Sequence, residues 1–296
     1  MGYQLELRHI RYFLAVAEEL HFRKAAERLY ISQPGLSRQI KEMEESLGFV
    51  LFERHNRKVE LTKAGSYLKE ALQLQLKTLE NSIHHAKLID SGIEGEIALA
   101  YVGSAMQAII PKLLLDFEEK HSNIIFNLKE MDNQSQVEGL LSLDLDIGFV
   151  RVEKVPKGLS LYPVLNESFC LALPISHHLN TDNFKDMSQL KNESFILFDS
   201  KYSPSYYEKV MQIFDGYGFI PNVTHNTIHA DSIYKLVENN FGVSIVPKSL
   251  RLSHMSGIKF IELNDVPQKT TLSAVWNIEN KNPAIQHFIT VVKGLN

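Results

Sequence analysis

Gln33, Ser37 and Arg38 stand at the start of a short helical pattern, within SQPGLSRQIK over 32–41. An amide, a hydroxyl and a guanidinium on the exposed N-terminal face of a helix are the groups that read base edges in the DNA major groove. Lys41 lies on the same polar side. The apolar counterpart is Leu36, Ile40, Met43 and Leu47, at spacings of four, three and four, which makes a single stripe. Ser32 is a good N-cap. Pro34 is tolerated just inside the start because its missing N–H would lack an intrahelical partner anyway. Upstream, Ala25, Ala26 and Leu29 recur at helical spacing before a break at Tyr30–Ile31. Two short helices joined by a tight turn suit a helix–turn–helix; the plainer alternative is a helical hairpin that only packs, so the surroundings decide.

Those surroundings are consistent. Residues 9–20 read as a first helix with Ile10, Phe13, Leu14, Ala17 and Leu20 on one face, and Leu20 and Phe22 are expected to pack under the next two helices. His21 reads as a boundary residue. Gly48 is placed to stop the second helix of the pair. Residues 50–54 and 58–61 read as two short strands around a turn at His55-Asn56-Arg57, a wing from which Arg54, Arg57 and Lys58 reach backbone phosphates or the minor groove. Thr62 caps a long helix over 63–90, in which Leu68, Leu72, Leu76, Leu79, Ile83 and Ala86 form a narrow seam. A seam of that length calls for a partner helix from a second copy, which would set the separation of two DNA-reading heads. His84 and His85 are adjacent and diverge on this helix, which argues against a metal site.

AAERLYISQPGLSRQIKEMEESLG, preceded by LRHIRYFLAVAEELHF and followed by LFERHNRKVELTKAG, resembles the N-terminal domain of LysR-type transcriptional regulators over about the first 65 residues. The domain order downstream extends the resemblance over essentially the whole chain, and it is most like the subgroup that controls breakdown of aromatic acids and responds to benzoate or muconate. The fold implied is an N-terminal all-α winged helix–turn–helix (1–62), a long linker helix for dimerisation (63–91) and an α/β two-lobed periplasmic-binding-protein-like effector domain (92–296). The partners implied are double-stranded DNA at a promoter, a small-molecule effector, a second copy through the linker helix and a homotetramer beyond it, with RNA polymerase as a further candidate. No cofactor, metal or membrane is expected.

The bulk properties accord with that. The 296 residues exceed one typical domain. The net charge of −4 looks wrong for a DNA binder, yet residues 1–91 carry 14 basic and 12 acidic side chains, so the excess of acid lies downstream. Binding then depends on local placement of Arg and Lys and on dimerisation. No apolar run reaches membrane-span length, and no signal-peptide pattern opens the chain, so the cytoplasm is expected. Cys170 is the single cysteine, which excludes an internal disulfide and fits a reducing compartment; between Phe169 and Leu171 it reads as a buried apolar residue.

Beyond a hinge at 91–95 the pattern alternates: strand 97–102, helix 105–120, strand 124–130, helix 135–142, strand 146–150. A similar series follows at 194–198, 205–217, 223–226, 231–239 and 243–246, and 271–276 with 283–293 returns to complete the first unit. Alternation implies parallel sheets with helices on their faces. The two-lobe assignment, with lobe I at about 96–165 and 269–296 and lobe II at about 166–268, crossing near Asn166 and Asp265, follows from the resemblance. Ligands of such lobes sit outside the C-terminal ends of strands, near helix N-termini. Gly103-Ser104, Asp132-Asn133-Gln134 and 202–206 are three such points. By resemblance, Ser104, Asn133, Tyr206 and the stretch from Asn226 through His229 to Asp231 fall at cleft positions of muconate-responsive regulators, and Arg151 matches an arginine near a second effector pocket in some of them.

The rim departs from the subgroup in carrying Asp132, Asp199 and Asp231, with Arg151 and Lys201 as the nearby basic groups. Either those aspartates cap helices, or the ligand is a cationic amine or neutral compound. A small aromatic or aliphatic carboxylate is the first reading. His225 and His229 lack a third ligand for a metal, and His177-His178 reads as surface loop. YVGSAM around Ser104 is not the G-x-S-x-G elbow, and no phosphate loop or H-E-x-x-H occurs, so an enzyme-like α/β domain fused to a DNA-binding head is the weaker alternative.

Overall fold

The computed structural model describes residues 5–55, 58–90, 95–251 and 256–295, with the backbone alone at Arg54 and His55. It divides into two compact units, 1–81 and 82–296. Arg57 and most of the 91–95 hinge lie outside the described residues, as do the tip of the wing and the side chain of Arg54.

In the first unit, α1 (Leu7–Glu19), α2 (Phe22–Arg28) and α3 (Gln33–Leu47) precede a wing of β1 (Phe52–His55) and β2 (Lys58–Leu61), paired antiparallel with Phe52 opposite Leu61. Local chemistry sets the boundaries. His21 caps α2 by accepting the Lys24 N–H, and Ser32 caps α3 by accepting that of Gly35. Gly48 ends α3 at φ 78°, the left-handed conformation that glycine adopts without strain. Leu36, Ile40 and Met43 are buried with Phe13, Val16, Ala25 and Leu51. Leu20 departs from expectation: as the left-handed C-cap of α1 (φ 46°) it is turned outward and 45% exposed. The chain reverses there, and only Phe22 enters the core.

The linker helix α4 (Lys63–Asp90) starts where Thr62 Oγ1 accepts the Gly65 N–H and donates to the Val50 carbonyl. Gly65 is its only fully buried residue among those described; Leu68, Leu72 and Leu76 are half-buried against the first unit's core, and Leu79, Ile83 and Ile89 are exposed. No helix among the described residues is long and apolar enough to cross a membrane.

The second unit holds two α/β lobes. β3 (Gly95–Tyr101), α5 (Gly103–Ala108), α6 (Ile110–Glu118), β4 (Ile124–Glu130), α7 (Asn133–Leu141), β5 (Ile147–Val150) and β6 (Leu159–Glu167) build most of lobe I. β7 (Phe169–Pro174), β8 (Ser194–Phe198), α8 (Pro204–Gly216), β9 (Asn222–Thr227), α9 (Ala230–Glu238), β10 (Ser244–Pro247) and β11 (Ile258–Glu262) build lobe II. β12 (Thr270–Asn277) and α10 (Pro283–Lys293) return to lobe I. Its sheet runs β4-β3-β5-β12-β6, with β3 parallel to β4 and β5 and β12 antiparallel to its neighbours. Lobe II has β10-β7-β11 antiparallel and β8-β9 parallel. The chain crosses between lobes at Ser168 and again between β11 and β12.

Two expectations are corrected. The helix expected over 105–120 is two, broken at Ile109, because Pro111 lacks an N–H and its ring clashes with the carbonyl four residues back. β6, β7 and β11 were absent from the sequence pattern. β7 is buried at every position, so it shows no alternation to reveal it.

Candidate nucleic-acid interface and effector cavity

α3 buries its stripe and leaves Ser32, Gln33, Pro34, Arg38 and Lys41 exposed and Ser37 half-exposed. Gln33 Nε2 donates to Ser37 Oγ at 3.4 Å; Arg38 and Lys41 each face a glutamate one turn on, Glu42 at 3.6 Å and Glu45 at 3.5 Å. Such exposed pairs are weak, so both cations can turn to a phosphate or a base edge. One residue that holds the wing was missed. Glu44 Oε1 accepts the N–H groups of Leu51 and Phe52 at 2.7 and 3.1 Å and so fixes the wing to the C-terminal half of α3. In sequence it reads as one more solvated glutamate. Lys58, at the start of β2, is exposed.

In the second unit, residues from both lobes line a small cavity of about 30 Å³ that is partly open to solvent. Gly103, Ser104, Arg151 and Tyr206 line it, with Val102, Phe198, Tyr202, Ser203, Ile228, Ala230, Pro247 and Leu250. Most of that wall is apolar. Its hydroxyls are specific: Ser104 Oγ accepts Arg151 Nε–H at 2.9 Å, and Ser203 Oγ accepts an Asn133 Nδ2–H at 3.0 Å. A serine whose oxygen already accepts has its own proton left to donate.

Arg151 is not on the rim. It is 4% exposed, paired with the buried carboxylate of Glu167, and donates also to Thr270 Oγ1 at 3.1 Å. Glu167 in turn accepts from the Ser249 hydroxyl at 2.9 Å, so this charge pair belongs to the framework between the lobes. Asn133 lies behind the wall instead of on it. Its amide oxygen accepts the Arg151 N–H, and its amide nitrogen reaches the Tyr202 carbonyl and Ser203. Tyr206 contributes its ring; its hydroxyl donates to the Ile245 carbonyl at 2.9 Å, and burial holds that phenol well above its ordinary pKa. Asn226 and Asp231 are exposed and do not line this cavity.

Of the three rim aspartates one caps a helix and two do not. Asp132 caps α7, accepting both the N–H and the hydroxyl of Ser135. Burial pushes its carboxyl up, but those hydrogen bonds outweigh burial and hold it below the usual range. Asp199 accepts the Lys201 N–H, a local turn. Glu130, which the sequence reading passed over, does face ligand space. Its Oε1 lies 3.1 Å from His229 Nδ1, in an open recess of about 440 Å³ that shares Tyr202 and Ile228 with the cavity. Burial, and secondarily the Glu130 charge, raises the phenol of Tyr202 to about 12.

The remaining histidine and cysteine readings resolve simply. Of the pair read as surface loop, His178 is exposed, whereas His177 turns its side chain inward to meet Glu193 at 3.3 Å. Cys170 is fully buried on β7, and burial pushes its thiol up to about 11. No group of three or more His, Cys, Asp or Glu side chains suited to a metal occurs among the described residues.

A three-helix head with a wing, a long helix and a two-lobed α/β unit with a cavity between its lobes define a ligand-responsive DNA-binding protein. Residues 7–66 match the bacterial regulatory helix–turn–helix protein model of the lysR family, and 90–295 match the LysR substrate-binding domain. The chain is 31% identical to the HTH-type transcriptional regulator AlsR of Bacillus subtilis over 97% of this chain and 95% of that protein. It is 32% identical to the HTH-type transcriptional regulator BenM of Acinetobacter baylyi, over 93% and 91%. Full-length CbnR crystallised with its target DNA shares the fold at a TM-score of 0.66 and 28% identity, covering 99% of this chain and all of that one. The chain belongs to the LysR family: it is a DNA-binding transcriptional regulator with an effector-binding domain. These relatives are named regulators, not enzymes.

Proposed function

We propose that the effector is a small aromatic or aliphatic carboxylate held in the cavity between the lobes. The observation that carries this is the pair of buried hydroxyls. Ser104 and Ser203 each accept one N–H and line the cavity, so the ligand there must accept two hydrogen bonds. A carboxylate does so with one group. An ammonium ion has no acceptor to offer and would leave both protons unpaired, and apolar walls suit a hydrocarbon or aromatic body. α9 adds to this, since its N-cap His229 makes no side-chain cap and its first N–H groups are open.

At the other end, Ser32, Gln33, Pro34, Ser37, Arg38 and Lys41 read or approach base edges, while Arg54, Arg57 and Lys58 hold the backbone. Two copies pair through α4, and lobe contacts join pairs into a tetramer on promoter DNA in the cytoplasm, with RNA polymerase as a further partner. The ligand biases one arrangement of the lobes over another, which requires unequal affinity for the two.

Calorimetry on the full chain tests the cavity. Ser104→Ala is expected to weaken carboxylate binding about tenfold, while ligand-free DNA binding stays unchanged. Equal affinity in the two proteins would exclude Ser104, and the cavity with it.

A further inference from the structure

The cavity and the recess beside it ask opposite things of a ligand. In the cavity, Ser104 and Ser203 are both more than nine-tenths buried, and neither hydroxyl proton meets an acceptor among the described residues. In the recess, Asp132 and Asp199 already accept backbone N–H groups. Glu130 differs. Among the described residues the one hydrogen-bond partner of its carboxylate is His229, whose Nδ1 must carry the proton because a carboxylate only accepts. Lys201 is the other basic group there, so the recess keeps an excess of negative charge.

The two demands are close together. A Cβ placed on Gly103 would come within 2.9 Å of Glu130 Oε1, so that carboxylate lies against the residue preceding Ser104. Glu130 lines the recess and not the cavity, but the two share Tyr202 and Ile228, so a ligand seated on the serines has the Glu130 carboxylate at its edge.

We infer that the cavity selects a carboxylate that also carries a hydrogen-bond donor, an ammonium or a hydroxyl, close to the acid group, and that Glu130 is the residue that enforces the choice. This rests on the cavity reading above and narrows it. The carboxylate takes the two serine protons, the donor turns to Glu130, and the body packs on Val102, Phe198, Tyr206 and Leu250. A dicarboxylate sets its second charge against Glu130, a repulsion that discriminates as much as the attraction does. A simple amine satisfies Glu130 but strands the serines.

The test uses the full chain and two matched series, read by melting shift and calorimetry. The aliphatic series is butyrate, 2-hydroxybutyrate, 2-aminobutyrate, 3-hydroxybutyrate, succinate and butylamine. The aromatic one is benzoate, salicylate, anthranilate, phthalate and benzylamine. The donor-bearing acids are expected to bind about tenfold or more tightly than the unsubstituted acid and the diacid of their series. The amino and hydroxy members show which donor is preferred. Glu130→Gln, which keeps an acceptor oxygen but loses the charge, is expected to reduce the preference, most for the ammonium-bearing acids, and to improve succinate or phthalate, whereas Ser104→Ala weakens all acids alike. If the plain acid or the diacid binds as well as the donor-bearing acids, the inference falls while the carboxylate reading stands. If amines bind and no acid does, both fall. The affinity order on the unaltered chain decides this even should Glu130→Gln fail to fold.

Discussion

Arg151 shows how a side chain read as a ligand group becomes a framework group once its partners are known. Its guanidinium is shared among Ser104, Thr270 and the Glu167 carboxylate, all buried. Glu167→Ala would leave that cation buried without its counter-ion. It is expected to destabilise the effector-binding unit by roughly 3–5 kcal/mol in urea unfolding, and a cost under about 1 kcal/mol would deny the pair its structural role. Cys170 gives a pH signature. A thiol raised from its ordinary 9.0 to about 11 binds its proton more tightly folded than unfolded. Its contribution to stability is thus fully present below about pH 9 and fades as pH climbs towards 11. Alkylation of the native chain at pH 8 should be slow and should accelerate with denaturant; prompt labelling without it would contradict the burial.

At the scale of elements, the junction of wing and linker helix is the tightest place in the first unit. Glu44 holds β1 by two backbone N–H groups, Thr62 starts α4, and the Leu51 carbonyl lies 2.2 Å from where a Gly65 Cβ would stand. Backbone cannot yield as a flexible side chain can. Gly65→Ala is expected to cost about 1–3 kcal/mol in thermal unfolding and to weaken DNA binding through displacement of the wing, despite alanine's better helix propensity. A neutral or stabilising result would mean that the wing moves aside freely. The elements themselves were uneven in legibility. α3 was readable because one face is polar and one apolar, and its Ser32 and Gly48 ends follow local rules. The β7 strand was not, because burial on both faces erases the period.

For the whole molecule, the exposed seam of α4 is the feature that a single copy leaves unexplained. Leu79 and Ile83 are 42% and 49% exposed on a helix with no fully buried side chain among those described. Under the proposed dimer, Ile83→Glu is expected to shift sedimentation towards the monomer and to lower operator affinity tenfold or more, on the order of 1.4 kcal/mol. An unchanged dimer would move the interface off this helix.

The DNA-binding head, the linker helix and the α/β alternation were determined by the sequence alone, because caps, helical stripes and Pro/Gly punctuation act within a few residues of one another. Strand ends and helix starts pointed to Ser104 and to the stretch holding Tyr206, which line the cavity, and equally to Asn133, which does not. Only the tertiary structure decided what those residues face. Arg151 and Glu167 are 16 apart, Asn133 and Ser203 70 apart, Glu130 and His229 99 apart. A charge is a rim group, a buried counter-ion or a specificity residue according to its partners, and those partners are brought together by the two crossings between the lobes.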